Sequence, residues 1–512
     1  MLAKLFKRFA ARPGAAPASV SAEPAAPRTS VAAPAPAPSL AAVKAPASAA
    51  TLPGPAAVAH ASPFAPGLAS APAAADAASP SFAPAPPPAA PVTASPLQAA
   101  QQFEREGRLA EAERLLRAQA ADLDDIAAQD ALGAFLLRQR RLDEARALLL
   151  PALDRFPGSP SILFTCGHLA QLSLQVDRAI ELFRLVLAVE PHHAGARFHL
   201  ATQLFLKGEL REGFLHLRAR RELPGHNTPY WAATIAPWRG ESLAGKRLLI
   251  APDWGGLGDE IQFARYIELI HRDYQPASLH VAASQECLRL IEAIPGVERA
   301  FFEVGAVSAD YHIGLMDIPC VYGTELESVP ARPRYLGVAP AEAAYWQRRL
   351  GAAQGAGLRI GLCWSAAYWG GAAGGRSDKS LPLSLLAPLG ALPGARFISL
   401  QKGSGRDELP CPGMAIEDYS ADLEDLADTA ALMENLDVVV TVDTSVAHLA
   451  GALGKPVIML LKWDSGMFWL LERDTSPWYP TLRIVRQTRP GDWAEVCARV
   501  LHLLREWPLA AR

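Results

Sequence analysis

Asp443, Thr444 and Ser445 stand between a β-branched run, Val438 to Val442, and an apolar stretch of helical character, Val446 to Leu453. The run has the pattern of a strand buried on both faces, and Asp, Thr and Ser are the residue types that cap helices. Their turn therefore falls at the C-terminal end of a strand. In an open parallel sheet that edge binds ligands, and the helix N-terminus offers N–H groups and positive partial charge to a phosphate. His448, one turn into the helix, adds an imidazole that could hydrogen-bond the same phosphate. Gly454 closes the helix and Pro456 prevents its continuation. The plain alternative is a strand-to-helix corner with an ordinary cap and a structural histidine.

Two further stretches carry groups suited to group transfer. A strand ending at Ala251 runs into Asp253-Trp254-Gly255-Gly256-Leu257-Gly258-Asp259, and a helix comes next. Gly255, Gly256 and Gly258 let the backbone turn sharply and approach a ligand closely. A dinucleotide fingerprint on Gly256 and Gly258 would need Gly where Ile261 stands, and Gly245-Lys246 is followed by Arg247, so there is no P-loop. Asp259, in the first helical turn, could take a proton from an attacking hydroxyl. Against that, an acid at a helix start also serves the macrodipole, which lowers its pKa and weakens it as a base. The third stretch is a Gly-rich loop ending in Arg376, Asp378, Lys379, Ser380 and Pro382, before a helix expected near Leu383. Its Arg and Lys suit a diphosphate leaving group whose charge grows as its bond to a sugar breaks. A solvated surface loop is the alternative.

These groups must be positioned by a long chain. With 512 residues, 50% hydrophobic and 20% charged, it has room for two or three domains with real cores. A net charge of -3 gives no electrostatic case for nucleic acid. Six cysteines, Cys166, Cys287, Cys320, Cys363, Cys411 and Cys497, lie far apart without zinc spacing. A reduced, cytoplasmic protein without a cysteine-bound metal is expected. No apolar run is long enough to span a bilayer. The basic N-terminus, MLAKLFKRFAARP, lacks the apolar core of a signal peptide. A frayed tail is expected there, with at most peripheral contact at the inner face of a membrane.

From Pro13 to Pro96 Ala and Pro dominate, which predicts a disordered tether over 1–96. A repeat then begins. GRLAEAERLL, RRLDEARALL, LQVDRAIELF and GELREGFLHL align Leu109, Leu142, Val176 and Leu210 at spacings of 33, 34 and 34, with Ala112, Ala145, Ala179 and Gly213 in phase. A helix-turn-helix unit of that length resembles the tetratricopeptide repeat, and the array is assigned to 97–225. It would form a groove for a peptide, a protein partner or the chain's own catalytic part, or simply pack against the C-terminal half of the chain. Asp122-Leu123-Asp124 spells a DxD motif but sits where solvated acids at a helix end are expected. Beyond a Pro/Gly/Trp-rich linker, strands alternate with helices, which predicts two α/β units, 226–345 and 346–512.

Three motifs in order, GGLGDEIQFARY (255–266), RSDKSLP (376–382) and DTSVAHLAGALGKP (443–456), resemble those of the heptosyltransferase-type glycosyltransferases of family 9. That resemblance implies a GT-B fold, two facing Rossmann-like units, behind the repeats. It implies inverting transfer of a sugar from a nucleotide-sugar donor, with no cofactor and no required metal. It places a general base at Asp259 and donor phosphate contacts at Arg376, Lys379, Asp443, Thr444, Ser445 and His448. A glycan or protein acceptor in surface glycoconjugate assembly is expected. The first α/β unit is shorter than the family's acceptor domain, and Ala366 to Gly375 is unusually rich in Ala and Gly, so the acceptor need not be a lipopolysaccharide core. The alternatives are a protein O-glycosyltransferase that holds its peptide in the repeats and an inactive repeat scaffold.

Overall fold

The computed structural model describes residues 95–224, 226, 230–252, 255–302, 307–351, 357–366, 377–464 and 466–507. The basic N-terminus and the expected tether up to residue 94 lie outside these residues, while Ser95 and Pro96, also assigned to the tether, cap and open the first helix.

The 34-residue period becomes four helix pairs. They are α1 Pro96–Arg105 with α2 Leu109–Gln119, α3 Ile126–Arg138 with α4 Leu142–Arg155, α5 Pro160–Leu172 with α6 Val176–Val189, and α7 Ala194–Lys207 with α8 Leu210–Leu217. The second helix of each pair starts on the residue that marked the phase. The turn before it holds a residue of positive φ in every unit: Gly107, Arg140, Leu174 and Gly208. The in-phase small residues are where helices touch. A Cβ on Gly213 would lie 2.6 Å from the ring of Phe205, and, in the first helix of the preceding pair, one on Gly167 would lie 2.5 Å from that of Phe183. Asp122 and Asp124 are spent locally: Asp122 accepts from the Asp124 N–H at 2.9 Å, and Asp124 pairs with Arg155.

The first α/β unit is a five-stranded sheet, all parallel, made of β1 Ala236–Pro237, β2 Arg247–Ala251, β3 Ser278–Ala282, β4 Arg299–Phe301 and β5 Tyr311–Gly314 in the order β1-β5-β2-β3-β4. α9 Leu257–Ala264 comes after β2, and α10 Ile267–Tyr274, α11 Leu288–Glu292, α12 Pro340–Leu350 and α13 Leu426–Met433 come later in the chain. The second unit has six parallel strands, β6 Arg359–Cys363, β7 Arg396–Ser399, β8 Ile416–Asp418, β9 Val438–Val442, β10 Val457–Leu461 and β11 Leu482–Arg486, in the order β11-β10-β9-β6-β7-β8. Counted within the unit this is 3-2-1-4-5-6 read from the other edge, the doubly wound order of dinucleotide-binding sheets. β9 and β10 are buried at every residue, as continuous apolar runs predict for central parallel strands. The two-unit α/β architecture expected of a GT-B fold is therefore present, behind the helical repeats.

Several elements differ from expectation. The helix expected near Leu383 is a run of 3-10 turns, Leu383–Ala391, because Pro388 lacks the N–H that an α-helix needs. The next helix, Leu426–Met433, starts where Asp425 accepts from the N–H groups of Ala427 and Asp428. β1, β4 and β8 have two or three residues each, too short for an alternation pattern. A helix from Pro340 to Leu350 spans the expected 345/346 division and packs on Leu426–Met433.

One buried apolar cluster runs from the last repeat pair through the first sheet and into the helices of the second. Phe205 and Phe214 of the repeats, Phe263 of α9 and Phe468 of the second unit meet there, with ring centroids between 4.8 and 6.2 Å apart. Among the described residues no helix is long and apolar enough to cross a membrane.

Candidate functional site

In doubly wound sheets, ligands bind beyond the strand C-termini at the point where the strand order reverses. In the second unit that point lies between β6 and β9. Asp443 comes directly after β9, and Lys379 arrives from the loop after β6. Lys379 Nζ donates to Asp443 Oδ2 at 2.8 Å, while Trp469 Nε1 donates to Asp443 Oδ1 at 2.9 Å. Burial alone would raise the Asp443 carboxyl, but the Lys379 charge and these donors hold it down at about 2. Asp443 raises Lys379 in return. At neutral pH the pair is therefore an ammonium beside a fixed carboxylate.

α14, Ser445–Ala452, begins at this pair. Thr444 sits at its N-cap in extended conformation, and its side chain makes no capping hydrogen bond. The capping chemistry read into Asp443 thus goes to Lys379 and Trp469, and the helix start is left without a side-chain cap. The other expected helix start does not offer this. The Leu383 N–H is taken by Glu408 Oε2 at 2.6 Å, so the carboxylate occupies the place a phosphate would need.

The corresponding point in the first unit lies between β2 and β5, and Asp259 comes from the helix after β2. Asp259 Oδ2 accepts from the Gly256 N–H at 2.9 Å, the helix-start bond expected of an acid there. Its carboxyl is nevertheless raised, because burial outweighs that bond and the pull of Lys379, while Asp443 pushes it further up. The glycines of this turn serve protein contacts. Gly255 has φ +94°, and a Cβ there would sit 2.7 Å from Asp259 Oδ2. A Cβ on Gly258 would sit 2.8 Å from Cδ2 of His448, which lets α9 pack directly on α14.

His448 is wedged in that contact. Its Nδ1 is 2.9 Å from Tyr479 OH, and its ring lies 5.0 Å from that of Trp469. Burial lowers its pKa to about 4, so at neutral pH it is an uncharged hydrogen-bonding group. The ring has little room to retreat, so Gly258→Ala should destabilise the protein by about 1–3 kcal/mol. Thermal unfolding checks this, with Gly158→Ala, whose added Cβ meets nothing within 4 Å, leaving the midpoint unchanged.

The structure thus brings Asp259, Lys379, Asp443, Thr444, Ser445 and His448 to the facing edges of two sheets. Arg376 and the Gly-rich segment 367–376 lie outside the described residues. The neck of that segment is well held: the Ser377 N–H donates to Ala366 O at 3.1 Å, and Gln401 Oε1 accepts from the N–H groups of Trp364 and Ser365. Gln401, Trp469, Tyr479 and Arg265 escaped sequence reasoning. Arg265 is buried, donates to the carbonyls of Gln262, Pro330 and Trp478, and packs on the rings of Tyr335, Trp478 and Tyr479. Only its place in the FARY tetrapeptide hinted at a role.

Residues 424–490, which include the Asp443 turn and Trp469, match Glycosyltransferase family 9 (heptosyltransferase). Protein FlbA of Caulobacter vibrioides is 29% identical over 335 residues, covering 61% of this chain and 55% of FlbA. The chain thus spans about half the length of that curated relative. Among solved structures, a family 9 glycosyl transferase from Veillonella parvula is 12% identical (51% of this chain, 91% of that one, TM-score 0.39). The E. coli ADP-heptose lps heptosyltransferase II is 18% identical (51% and 99%, TM-score 0.37).

Proposed function

From a chain whose C-terminal α/β unit carries a family 9 glycosyltransferase segment at residues 424–490, we propose an enzyme that moves a sugar from a nucleotide-sugar donor to a hydroxyl acceptor, with inversion. The observation that carries this reading is the meeting of two sheet edges. One presents a carboxylate of raised pKa, Asp259, and the other an ammonium beside a helix start without a side-chain cap, Lys379 and Thr444-Ser445.

In this mechanism the diphosphate lies against the N–H groups at the start of α14, with Lys379 as its cation. Arg376, which directly precedes the neck residue Ser377 in sequence, is a second phosphate contact. The acceptor oxygen attacks the anomeric carbon from the face opposite the diphosphate. Its proton passes to Asp259, the carbon–phosphate-oxygen bond breaks, and the electron pair leaves on the diphosphate. Lys379 stabilises the charge that grows there. An ionised Asp443 repels phosphate, so in this reading it fixes Lys379 and accepts from a sugar hydroxyl while the neighbouring groups take the phosphate. His448 acts as a neutral hydrogen-bond partner. No step calls on a metal or a cofactor. The acceptor is a glycan or a protein of the cell surface, met on the cytoplasmic side, and the repeat groove is a place for a peptide or protein partner.

The test is calorimetric titration of the full chain with ADP, UDP, GDP and CMP, each with and without EDTA. One nucleotide should bind with a Kd in the micromolar range, about -8 kcal/mol, and EDTA should not weaken it. Folded protein that binds none of the four, even with magnesium, makes the chain a repeat scaffold. Glycan analysis of surface proteins and of lipopolysaccharide in a deletion strain then separates the two acceptor classes.

A further inference from the structure

The loop between β10 and β11 joins the repeats to the candidate donor site. Trp469, buried in this loop, donates to Asp443. Gly466 makes room for it, since a Cβ there would sit 1.9 Å from the indole Cδ1. Its neighbours in sequence are held by the repeats. Phe468 stacks into the rings of Phe205 and Phe214, with centroids 4.9 and 6.2 Å away. The Leu471 N–H donates to Leu206 O at 3.3 Å, and a Cβ on the turn glycine Gly208 would lie 3.1 Å from Leu470 Cδ2. A second line of contacts reaches the same place from an earlier repeat. Arg140, at its positive-φ turn, pairs with Asp464 at 3.4 Å; Lys462 pairs with Asp464 at 3.1 Å and with Asp378 at 2.5 Å. Asp378 adjoins Lys379 in sequence.

We propose that Trp469 is a positioning residue that fixes Asp443 against Lys379, and that the repeats hold Trp469 in place, so the array forms the outer wall of the candidate donor site. The contacts connect in one direction: repeat aromatics seat Phe468, the chain carries that placement to Trp469, and its N–H orients the carboxylate that holds Lys379. Each donor narrows the geometries a carboxylate can take, and an indole N–H on a buried ring is stiffer than the ammonium of a long lysine. This role deepens the nucleotide-sugar reading and rests on it for its meaning, although the geometry it describes can be measured without any nucleotide.

The experiment compares the full-length wild type with Trp469→Phe, which keeps an aromatic ring and removes the N–H, with Phe214→Leu in the repeats, and with Arg140→Glu on the surface. An amine-acylating reagent labels the protein without nucleotide, and the Lys379 peptide is followed by mass spectrometry, with exposed Lys246 as internal reference. Loosening the pair frees the Lys379 amine, so its labelling should quicken severalfold in Trp469→Phe and measurably in the two repeat variants, while Lys246 is unchanged. Nucleotide affinity should fall about tenfold in Trp469→Phe, the worth of one hydrogen bond to a charged group. Unchanged Lys379 labelling in Trp469→Phe overturns the positioning role. A response in Trp469→Phe with none in Arg140→Glu overturns the part assigned to the repeats, and holds even if Phe214→Leu fails to fold. A wild type that binds no nucleotide defeats the functional reading alone, because the labelling is scored without one.

Discussion

Asp259→Asn should leave nucleotide binding nearly unchanged and cut turnover by about 10²–10⁴, the usual worth of a positioned general base. The amide keeps the shape of the carboxylate, and its oxygen can still accept from the Gly256 N–H, so the turn and the helix start stay in place. What it cannot do is take a proton. Because burial raises the Asp259 carboxyl, the effect has a pH signature. The base works when ionised, so the wild-type rate is full at high pH and falls as pH drops through a value above the ordinary 3.9 or so of aspartate. That acid limb should be missing from whatever rate remains in Asp259→Asn. Turnover within tenfold of wild type, or an unshifted limb in the variant, would place the base elsewhere.

Lys379→Ala should weaken nucleotide binding by about 10–100-fold, since a hydrogen bond to a charged group is worth about 1.5–3 kcal/mol. It should lower kcat as well, because the diphosphate gains charge in the transition state. The loss has two parts. The phosphate loses its cation, and Asp443 is left as a buried carboxylate with Trp469 but without Lys379. Lys379→Arg keeps the charge but replaces a compact ammonium by a planar fork, so it should recover binding only in part. Calorimetry on the two variants checks this, and full affinity in Lys379→Ala would remove the lysine from the donor site.

Much of this arrangement was legible because it is written locally. A β-branched run followed by cap residues, as at Val438 to Ser445, specifies strand, turn and helix within a dozen residues. The 34-residue phase of Leu109, Leu142, Val176 and Leu210 likewise marks where four helices begin. The turn at Asp259 was placed correctly, but its electrostatics were not. Sequence supplies the helix dipole, which lowers a carboxyl, whereas the burial that raises it belongs to the tertiary fold. Gly255 and Gly258 were read as making room for a ligand, and the space they leave is filled by Asp259 and His448. Trp469 and Gln401 could not be found at all, since an aromatic or amide in a loop has no periodicity and gains its partners only from the tertiary fold. Pro388 did carry a local signal, and it accounts for the 3-10 turns where a regular helix was expected.

The continuity of the core from repeats to second sheet bears on how such a chain can change over generations. Repeat arrays ordinarily lengthen and shorten by duplicating or deleting whole units, because each unit meets only its neighbours. Here the last unit is anchored through Phe205 and Phe214, and an earlier unit reaches the same loop through Arg140. A unit inserted between them would carry Arg140 a full step away from Asp464 while leaving the aromatic anchor in place. Copy number between Arg140 and Phe205 is therefore under constraint from the α/β side, and variation in repeat number should be confined to the stretch that precedes Arg140.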